Sequence, residues 1–108
     1  MGLTKTELFT DSQNEIANIA KSIAHPARVA IIEYLLKVDG CICNDIVEEI
    51  GLAQPTVSQH LRELKTAGII KGNIEGNAIC YCINEPILDK LNNYFKGITN
   101  KLESKKCC

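Results

Sequence analysis

Residues 54–68 read Gln54-Pro-Thr-Val-Ser-Gln-His-Leu-Arg-Glu-Leu-Lys-Thr-Ala-Gly68. Apolar side chains recur in this stretch at i, i+4 and i+7, which places them on one side of a helix; they are Val57, Leu61 and Leu64. Pro55 is tolerated in a first turn, where its missing N–H has no partner to lose, and Gly68 is a typical helix stop. The pattern predicts a helix over 54–67 with one buried side and one polar side.

The polar side of this helix suits contacts with DNA. Its hydroxyl, amide, imidazole and guanidinium groups can bond to base edges and phosphates. We expect Gln59 and Arg62 to contact bases, and Thr56 and Ser58, near the positive end of the helix dipole, to favour phosphate. With two residues of the following hairpin, the predicted DNA-contacting set is Gln54, Thr56, Ser58, Gln59, His60, Arg62, Lys71 and Asn77. The alternative is a solvated polar helix face in which His60 packs beside its apolar neighbours.

The surrounding segments complete a winged helix-turn-helix, a mainly α fold with a small β-hairpin. Helical spacing predicts three helices before the stretch quoted above, the second of them buried centrally: Thr6–Ile23, Ala27–Val38 and Asn44–Ile50. After it, β-prone runs and helical spacing predict a hairpin that turns at Gly76-Asn77 and a last helix: Ile69–Gly72, Ala78–Ile83 and Pro86–Leu102. We expect a single domain over residues 1–108.

Length and charge limit the classes of function. A chain of 108 residues has a small core, so a homodimer is the default expectation. The net charge of −1 argues against nonspecific coating of nucleic acid, and the basic character is local. Arg62, Lys65 and Lys71 outnumber Glu63 by two between residues 54 and 74, whereas residues 39–49 hold four acidic residues and no basic one. No run reaches the ~20 apolar residues of a membrane span, and a cytoplasmic location is expected.

The six cysteines fall into three close pairs: Cys41 and Cys43, Cys80 and Cys82, and Cys107 and Cys108. Close pairing is typical of thiolate metal sites and redox switches, whereas a disulfide framework would require a secreted context and a weak core. We favour Cys41 and Cys43 as metal ligands over a small buried pair. Residues two apart on a regular helix do not face each other, so joint ligation requires a non-helical or unwound first turn of the third helix. That turn is separated from the helix predicted over 54–67 by one short connection.

A trivalent arsenic or antimony ion favours three sulfur ligands, so a third sulfur is needed. Cys107 and Cys108 are the predicted source, because a terminal tail can fold across a dimer; the alternative is an exposed, redox-prone tail. For Cys80 and Cys82, which share one face of a strand, a structural role beside Tyr81 is favoured over chelation.

Three motifs make the chain resemble the ArsR/SmtB family of bacterial metal-responsive repressors: Ala24-His-Pro-Ala-Arg28, Cys41-Ile-Cys43 and residues 54–68. The resemblance covers nearly the whole chain and points to the arsenic, antimony, cadmium and lead branch. It implies that the first and last helices form a dimer, that the fourth helix enters the major groove, and that metal binding weakens operator affinity.

The chain departs from the family pattern at two positions. Ile46 stands where the arsenic branch has a third Cys, so that sulfur must come from elsewhere. Ala53 stands where the family often has Ser, and the missing helix N-cap costs roughly 1 kcal/mol. Zinc sensing through the last helix is not expected, because no His follows His60.

We therefore predict a metalloid-responsive repressor, not an enzyme. It binds an operator as a homodimer, holds no permanent cofactor, and is released when arsenic(III) or antimony(III) binds thiolates of Cys41, Cys43, Cys107 and Cys108. Alternatives of the same fold are a cadmium- or lead-responsive and a thiol-redox-responsive repressor. A thiol enzyme would need a base, and His25 and His60 have other roles available. The last alternative is a winged helix that does not bind DNA.

Overall fold

We describe a computed structural model in which residues 7–37, 46–75 and 78–105 are placed. Its elements, in chain order, are α1 (Asp11–Ile23), α2 (Pro26–Leu35), α3 (Ile46–Ile50), α4 (Gln54–Thr66), β1 (Ile70–Glu75), β2 (Ala78–Ile83) and α5 (Glu85–Ser104). The predicted winged helix-turn-helix, mainly α with a two-stranded antiparallel hairpin, is confirmed. Within these residues, no helix has the combination of length and apolar character needed to cross a membrane.

Helix α1 begins at Asp11 because Thr10 caps it. The Thr10 Oγ1 accepts a hydrogen bond from the Gln13 backbone N–H at 3.0 Å, and the Gln13 Oε1 accepts one from the Thr10 N–H at 3.0 Å. This reciprocal capping box fixes Thr10 in extended backbone, so residues 7–10 are not helical. The predicted start at Thr6, which itself lies outside the described residues, was therefore too early. The predicted end at Ile23 is confirmed.

Helix α2 is buried on one side only. Its N-cap is His25, whose Nδ1 accepts a hydrogen bond from the Ala27 N–H at 3.0 Å. The predicted central burial of α2 holds for one face only, because Val29 is 43% exposed and Leu36, just past the helix end, is 65% exposed. A single helix face packs on the rest of the chain, through Ala27, Ile31 and Leu35. The predicted end at Val38 lies outside the described residues.

The helix-turn-helix consists of α3 and α4. Helix α3 buries Ile46, whereas Val47 is 37% exposed. Its predicted start at Asn44 lies outside the described residues. Gly51, with φ of +80°, reverses the chain in a left-handed conformation that favours glycine. The connection then delivers α4, one residue shorter than predicted.

The core lies where α4 meets the other elements. The predicted apolar stripe of α4 is confirmed as buried: Val57, Leu61 and Leu64. It packs in one cluster with side chains of α1, α2, α3, α5 and the start of the hairpin: Ile19, Ile31, Leu35, Ile46, Ile69, Ile70 and Leu91. Helix α4 is therefore packed against α1, α2, α3 and β1.

The hairpin, or wing, pairs Ile70 with Ile83 and Glu75 with Ala78 at its two ends. Strand β1 begins one residue later and runs three residues further than predicted. Ile69 is outside the strand but fully buried, and its carbonyl accepts a hydrogen bond from the Asn84 N–H at 2.8 Å. The predicted turn at Gly76-Asn77 lies outside the described residues.

Helix α5 carries an apolar stripe that the described part of the chain leaves uncovered. Leu91 is buried, yet the apolar residues that follow on the same side are exposed: Tyr94, Phe95, Ile98 and Leu102. Just before α1, Leu8 and Phe9 are also more than half exposed. The Lys90 ammonium and the Glu15 carboxylate, 2.9 Å apart, join α5 to α1, so these apolar surfaces belong to one packed pair of helices.

Candidate nucleic-acid interface

Helix α4 presents its polar side to solvent. Five of the predicted DNA-contacting residues on this helix are exposed: Gln54, Thr56, Ser58, Gln59 and Arg62. Ala53 is the N-cap and supplies no side-chain hydrogen bond, as expected. The first-turn N–H groups of α4 are thus left for an outside acceptor, and phosphate is the acceptor favoured at a helix N-terminus.

Gln59 and Arg62, the two predicted base-contacting residues, are joined on the surface of α4. The Arg62 guanidinium donates to the Gln59 Oε1 at 3.4 Å, and the Gln59 Nε2 donates to the Glu63 Oε1 at 2.9 Å. Glu63 thereby orients the Gln59 amide so that its oxygen meets Arg62. All three side chains are exposed, so bonds to bases can replace these contacts without opening the core.

His60 does not share that surface, and its predicted contact with DNA is corrected. Only 8% of the residue is exposed. Its Nδ1 accepts a hydrogen bond from the Arg28 Nε at 3.2 Å, and its ring lies 4.4 Å from the His25 ring, centroid to centroid. The packed alternative considered for this residue is the arrangement found.

Arg28 is the residue that sequence reasoning missed. Besides bonding to His60, its guanidinium donates to the Ser22 carbonyl at 3.0 Å. One α2 side chain therefore ties the end of α1 to the inward side of α4. The available signal was a cationic residue three positions after the His25 cap, in a helix whose other residues are apolar except Tyr34 and Glu33.

The buried position of His60 gives the fold a pH dependence. Burial lowers the pKa of His60 from its ordinary value of 6.5, the charges of His25 and Arg28 lower it further, and Glu63 opposes them. In the unfolded chain this imidazole takes up a proton near pH 6.5, but the folded chain resists until a lower pH. Stability from this group is therefore present at neutral pH and lost as the pH falls below 6.5.

We expect a His60→Gln variant, which keeps an acceptor for Arg28 but cannot titrate, to lose less stability on acidification than the wild type. Urea unfolding of both proteins at about pH 7.5 and about pH 5.5, on either side of the ordinary histidine pKa, measures the difference. An equal loss in the two proteins would assign the pH dependence to other groups.

The wing adds basic and apolar groups beside α4. Lys71 is exposed on β1, as its predicted role requires, and Asn77 lies outside the described residues. A Cβ on Gly72 would lie 3.2 Å from the Lys65 Nζ, so the glycine lets that ammonium of α4 lie against the wing. Ile74 is 81% exposed and pairs across the hairpin with Ile79.

The predicted sulfur ligands Cys41, Cys43, Cys107 and Cys108 all lie outside the described residues. In the part of the chain that is described, no group of three or more His, Cys, Asp or Glu side chains could hold a metal ion. Cys80 is fully buried and disulfide-bonded. Cys82 is a thiol whose Sγ lies 3.9 Å from the Asn73 Nδ2 donor.

Comparison with known proteins identifies the family. Residues 25–71 match the family described as bacterial regulatory protein, arsR family. The transcriptional repressor SdpR of Bacillus subtilis is 33% identical over 84 residues, which span 78% of this chain and 92% of SdpR. The chain belongs to the ArsR family. ArsR proteins are DNA-binding transcriptional regulators and not enzymes, as predicted.

Two further relatives differ in what is known of them. The arsenical resistance operon repressor of Staphylococcus xylosus is 31% identical over 81 residues, 75% of this chain and 77% of that protein. The uncharacterized regulator Rv0081 of Mycobacterium tuberculosis is 35% identical over 75 residues, 69% of this chain. That match spans 66% of Rv0081, just under two thirds of its length.

Solved ArsR-type structures share the fold. An ArsR-like regulator from Rhodococcus sp. RHA1 superposes with a TM-score of 0.74 at 16% identity, covering 88% of this chain and 89% of that one. The winged helix-turn-helix domain of Mycobacterium bovis Mb0332, described as homodimeric in solution, superposes with a TM-score of 0.67 at 21% identity. The superposition covers 99% of this chain and 97% of that domain. At these identities the likeness supports the fold alone.

Proposed function

We propose that this ArsR protein is a transcriptional repressor that binds operator DNA as a homodimer, with α4 in the major groove. The observation that carries the proposal is the exposed Gln59–Arg62 pair on a helix whose opposite side is locked in the core. Rigid placement of an amide and a guanidinium at one surface is what base recognition requires. Lys65 and Lys71 extend the same surface towards the wing and supply charge for phosphates.

The homodimer is proposed to form through α1 and α5. Contiguous exposed apolar surface is unusual for a monomer and typical of a protein interface. The uncovered stripe of α5 from Tyr94 to Leu102, with Phe9 beside α1, is such a surface. Two copies related by a two-fold axis would bury it and present two α4 helices to half-sites about one DNA turn, roughly 34 Å, apart.

The proposed inducer is arsenic(III) or antimony(III), held by Cys41 and Cys43 with a sulfur from Cys107 or Cys108. Thiolates select soft ions, and the S. xylosus relative is named for arsenical resistance. Cadmium and lead are the alternative ions. A thiol-redox-responsive repressor is the second candidate function, and the disulfide at Cys80 is the observation that favours it.

Arg62→Ala is expected to weaken binding to the chain's own promoter region by roughly fivefold or more, because a base-contacting arginine contributes at least about 1 kcal/mol. Fluorescence anisotropy of a labelled promoter fragment at fixed salt measures this. Lys96→Ala is the matched control, since it removes one positive charge from an exposed position of α5. Equal weakening by both variants would mean that only net charge matters, and absence of any wild-type shift would overturn the proposed function.

A further inference from the structure

A cleft opens between three helices, where the end of α1, the start of α2 and the end of α4 meet. Its volume is about 680 Å³, which lies within the roughly 300–1,000 Å³ of typical small-molecule sites. Four of the side chains that line it are charged or can bond to a charged group: Lys21, His25, Arg28 and Glu63. The cleft is therefore large enough for a small molecule and has the groups to orient a charged one.

The side of the cleft formed by α1 and α2 supplies hydrogen-bond donors. Lys21 is exposed and carries an ammonium group. The Nδ1 of His25 accepts the bond from the Ala27 N–H, so the neutral ring carries its hydrogen on Nε2. Arg28 uses two of its five N–H groups for bonds to α4 and to the end of α1, which leaves three without an acceptor in the described part of the chain. A lysine, a histidine and an arginine on one side of a cleft suit a carboxylate.

The side formed by α4 has the opposite charge, because Glu63 lines it. Neither Lys21 nor Glu63 takes part in an ion pair within residues 7–37, 46–75 and 78–105. The two side chains thus line one cleft without neutralising each other. A molecule that fits between them carries a negative group towards α1 and α2 and a positive group towards α4.

Glu63 also connects the cleft to the surface proposed to contact bases. Its Oε1 accepts a hydrogen bond from the Gln59 Nε2 at 2.9 Å, and the Gln59 Oε1 accepts one from Arg62 at 3.4 Å. An ammonium group at Glu63 would compete with the neutral amide of Gln59, and hydrogen bonds between two charged groups are the stronger ones. Loss of the bond to Glu63 would free the Gln59 amide to turn away from Arg62.

We infer that this cleft binds a small zwitterion, with its carboxylate at Lys21, His25 and Arg28 and its ammonium at Glu63, and that the bound molecule lowers operator affinity. The effect on the operator rests on the proposed function, whereas binding of the zwitterion does not. The lining residues of the cleft in the described chain include no cysteine, so this site is separate from the proposed thiolate site.

The probes for this site are the ω-amino carboxylates from glycine to aminooctanoate, with hexanoate and hexylamine as molecules that carry only one of the two charges. Binding to the full-length protein without DNA is followed by NMR through the ring signals of His25. We expect one zwitterion of the series to bind at least about tenfold more tightly than hexanoate or hexylamine, because each of these leaves one side of the cleft without its charged partner.

Lys21→Ala should remove that preference and leave operator binding in the absence of a probe unchanged. Lys96→Ala, which removes one exposed positive charge from α5, is the matched control and should keep the preference. Saturation of the wild type with the tightest zwitterion should weaken operator binding by about fivefold or more, measured by fluorescence anisotropy. The same concentration should have no effect on operator binding by Lys21→Ala.

A zwitterion that binds no better than hexanoate and hexylamine, or equally well to Lys21→Ala, would overturn the inference. Weaker operator binding by Lys21→Ala without any probe would also overturn it, because the cleft would then hold a DNA phosphate. Zwitterion binding that leaves operator affinity unchanged would reject the regulatory step. A wild type that binds no operator would reject the proposed function instead, and the NMR result on the cleft would still stand.

Discussion

An Ile98→Glu variant is expected to be monomeric and to bind its operator roughly a thousandfold more weakly than the wild type, because a single recognition helix loses the second half-site and retains little beyond nonspecific affinity. Ile98 is 39% exposed and lies in the middle of the uncovered stripe of α5. In the proposed dimer a carboxylate at this position would be buried without a positively charged partner. The free energy needed to bury it exceeds what the apolar contacts around it contribute to association. Analytical ultracentrifugation gives the oligomeric state, and anisotropy with promoter DNA gives the affinity.

The control is Asn100→Glu, which adds the same charge to the same helix. Position 100 is nine residues from Leu91, about 180° around the helix at 3.6 residues per turn, so it faces away from the stripe. This variant should remain dimeric and bind DNA with nearly wild-type affinity. A dimeric Ile98→Glu protein, or equal dissociation of both variants, would show that the dimer uses another surface.

Much of the fold could be predicted because its signals are local. The i, i+4, i+7 spacing of Val57, Leu61 and Leu64 gave both the extent of α4 and its buried side. The start of α1 was missed although Thr10 and Gln13 have the spacing of a capping box, because the apolar residues Leu8 and Phe9 extended the helical pattern across the cap. Both side chains are more than half exposed, and we propose that the dimer interface covers them.

The packed position of His60 could also have been read from the sequence. At 100° per residue, His60 lies only about 40° around α4 from the buried Leu64, whereas Gln59 and Arg62 lie on the opposite side. Polarity, and not position on the helix, suggested the DNA contact. The bond from Arg28 could not be predicted in the same way, because it joins residues 32 apart in the sequence through the packing of α2 on α4.

The burial of Cys80 could not be predicted from the local sequence pattern. The spacing of Cys80 and Cys82 correctly placed both on one face of a strand, but strand spacing does not show which distant segment covers that face. Exposure distinguishes the two cysteines, with Cys80 fully buried and Cys82 only half-buried.

Cys41→Ser and Cys43→Ser are each expected to preserve operator binding and to abolish its release by arsenite. Two sulfurs hold a trivalent ion more weakly than three, and without tight binding the ion cannot favour the conformation that fits DNA badly. Because the coupling is reciprocal, DNA weakens ion binding by the same factor, and ~1–3 kcal/mol corresponds to a ~5–150-fold change in operator affinity. Anisotropy titrations with and without saturating arsenite, under reducing conditions, measure that factor in each variant.

Cys82→Ser is the matched control, because it removes one sulfur from the wing without touching Cys41, Cys43 or the tail cysteines, and it should release DNA like the wild type. Repeating the titration with cadmium, lead and zinc identifies the ion with the largest coupling. Oxidant-driven release in metal-free buffer that needs Cys80 would favour the thiol-redox repressor instead. Unchanged release by arsenite in either Cys41→Ser or Cys43→Ser would refute the proposed sensor site, since both sulfurs are proposed ligands of the ion.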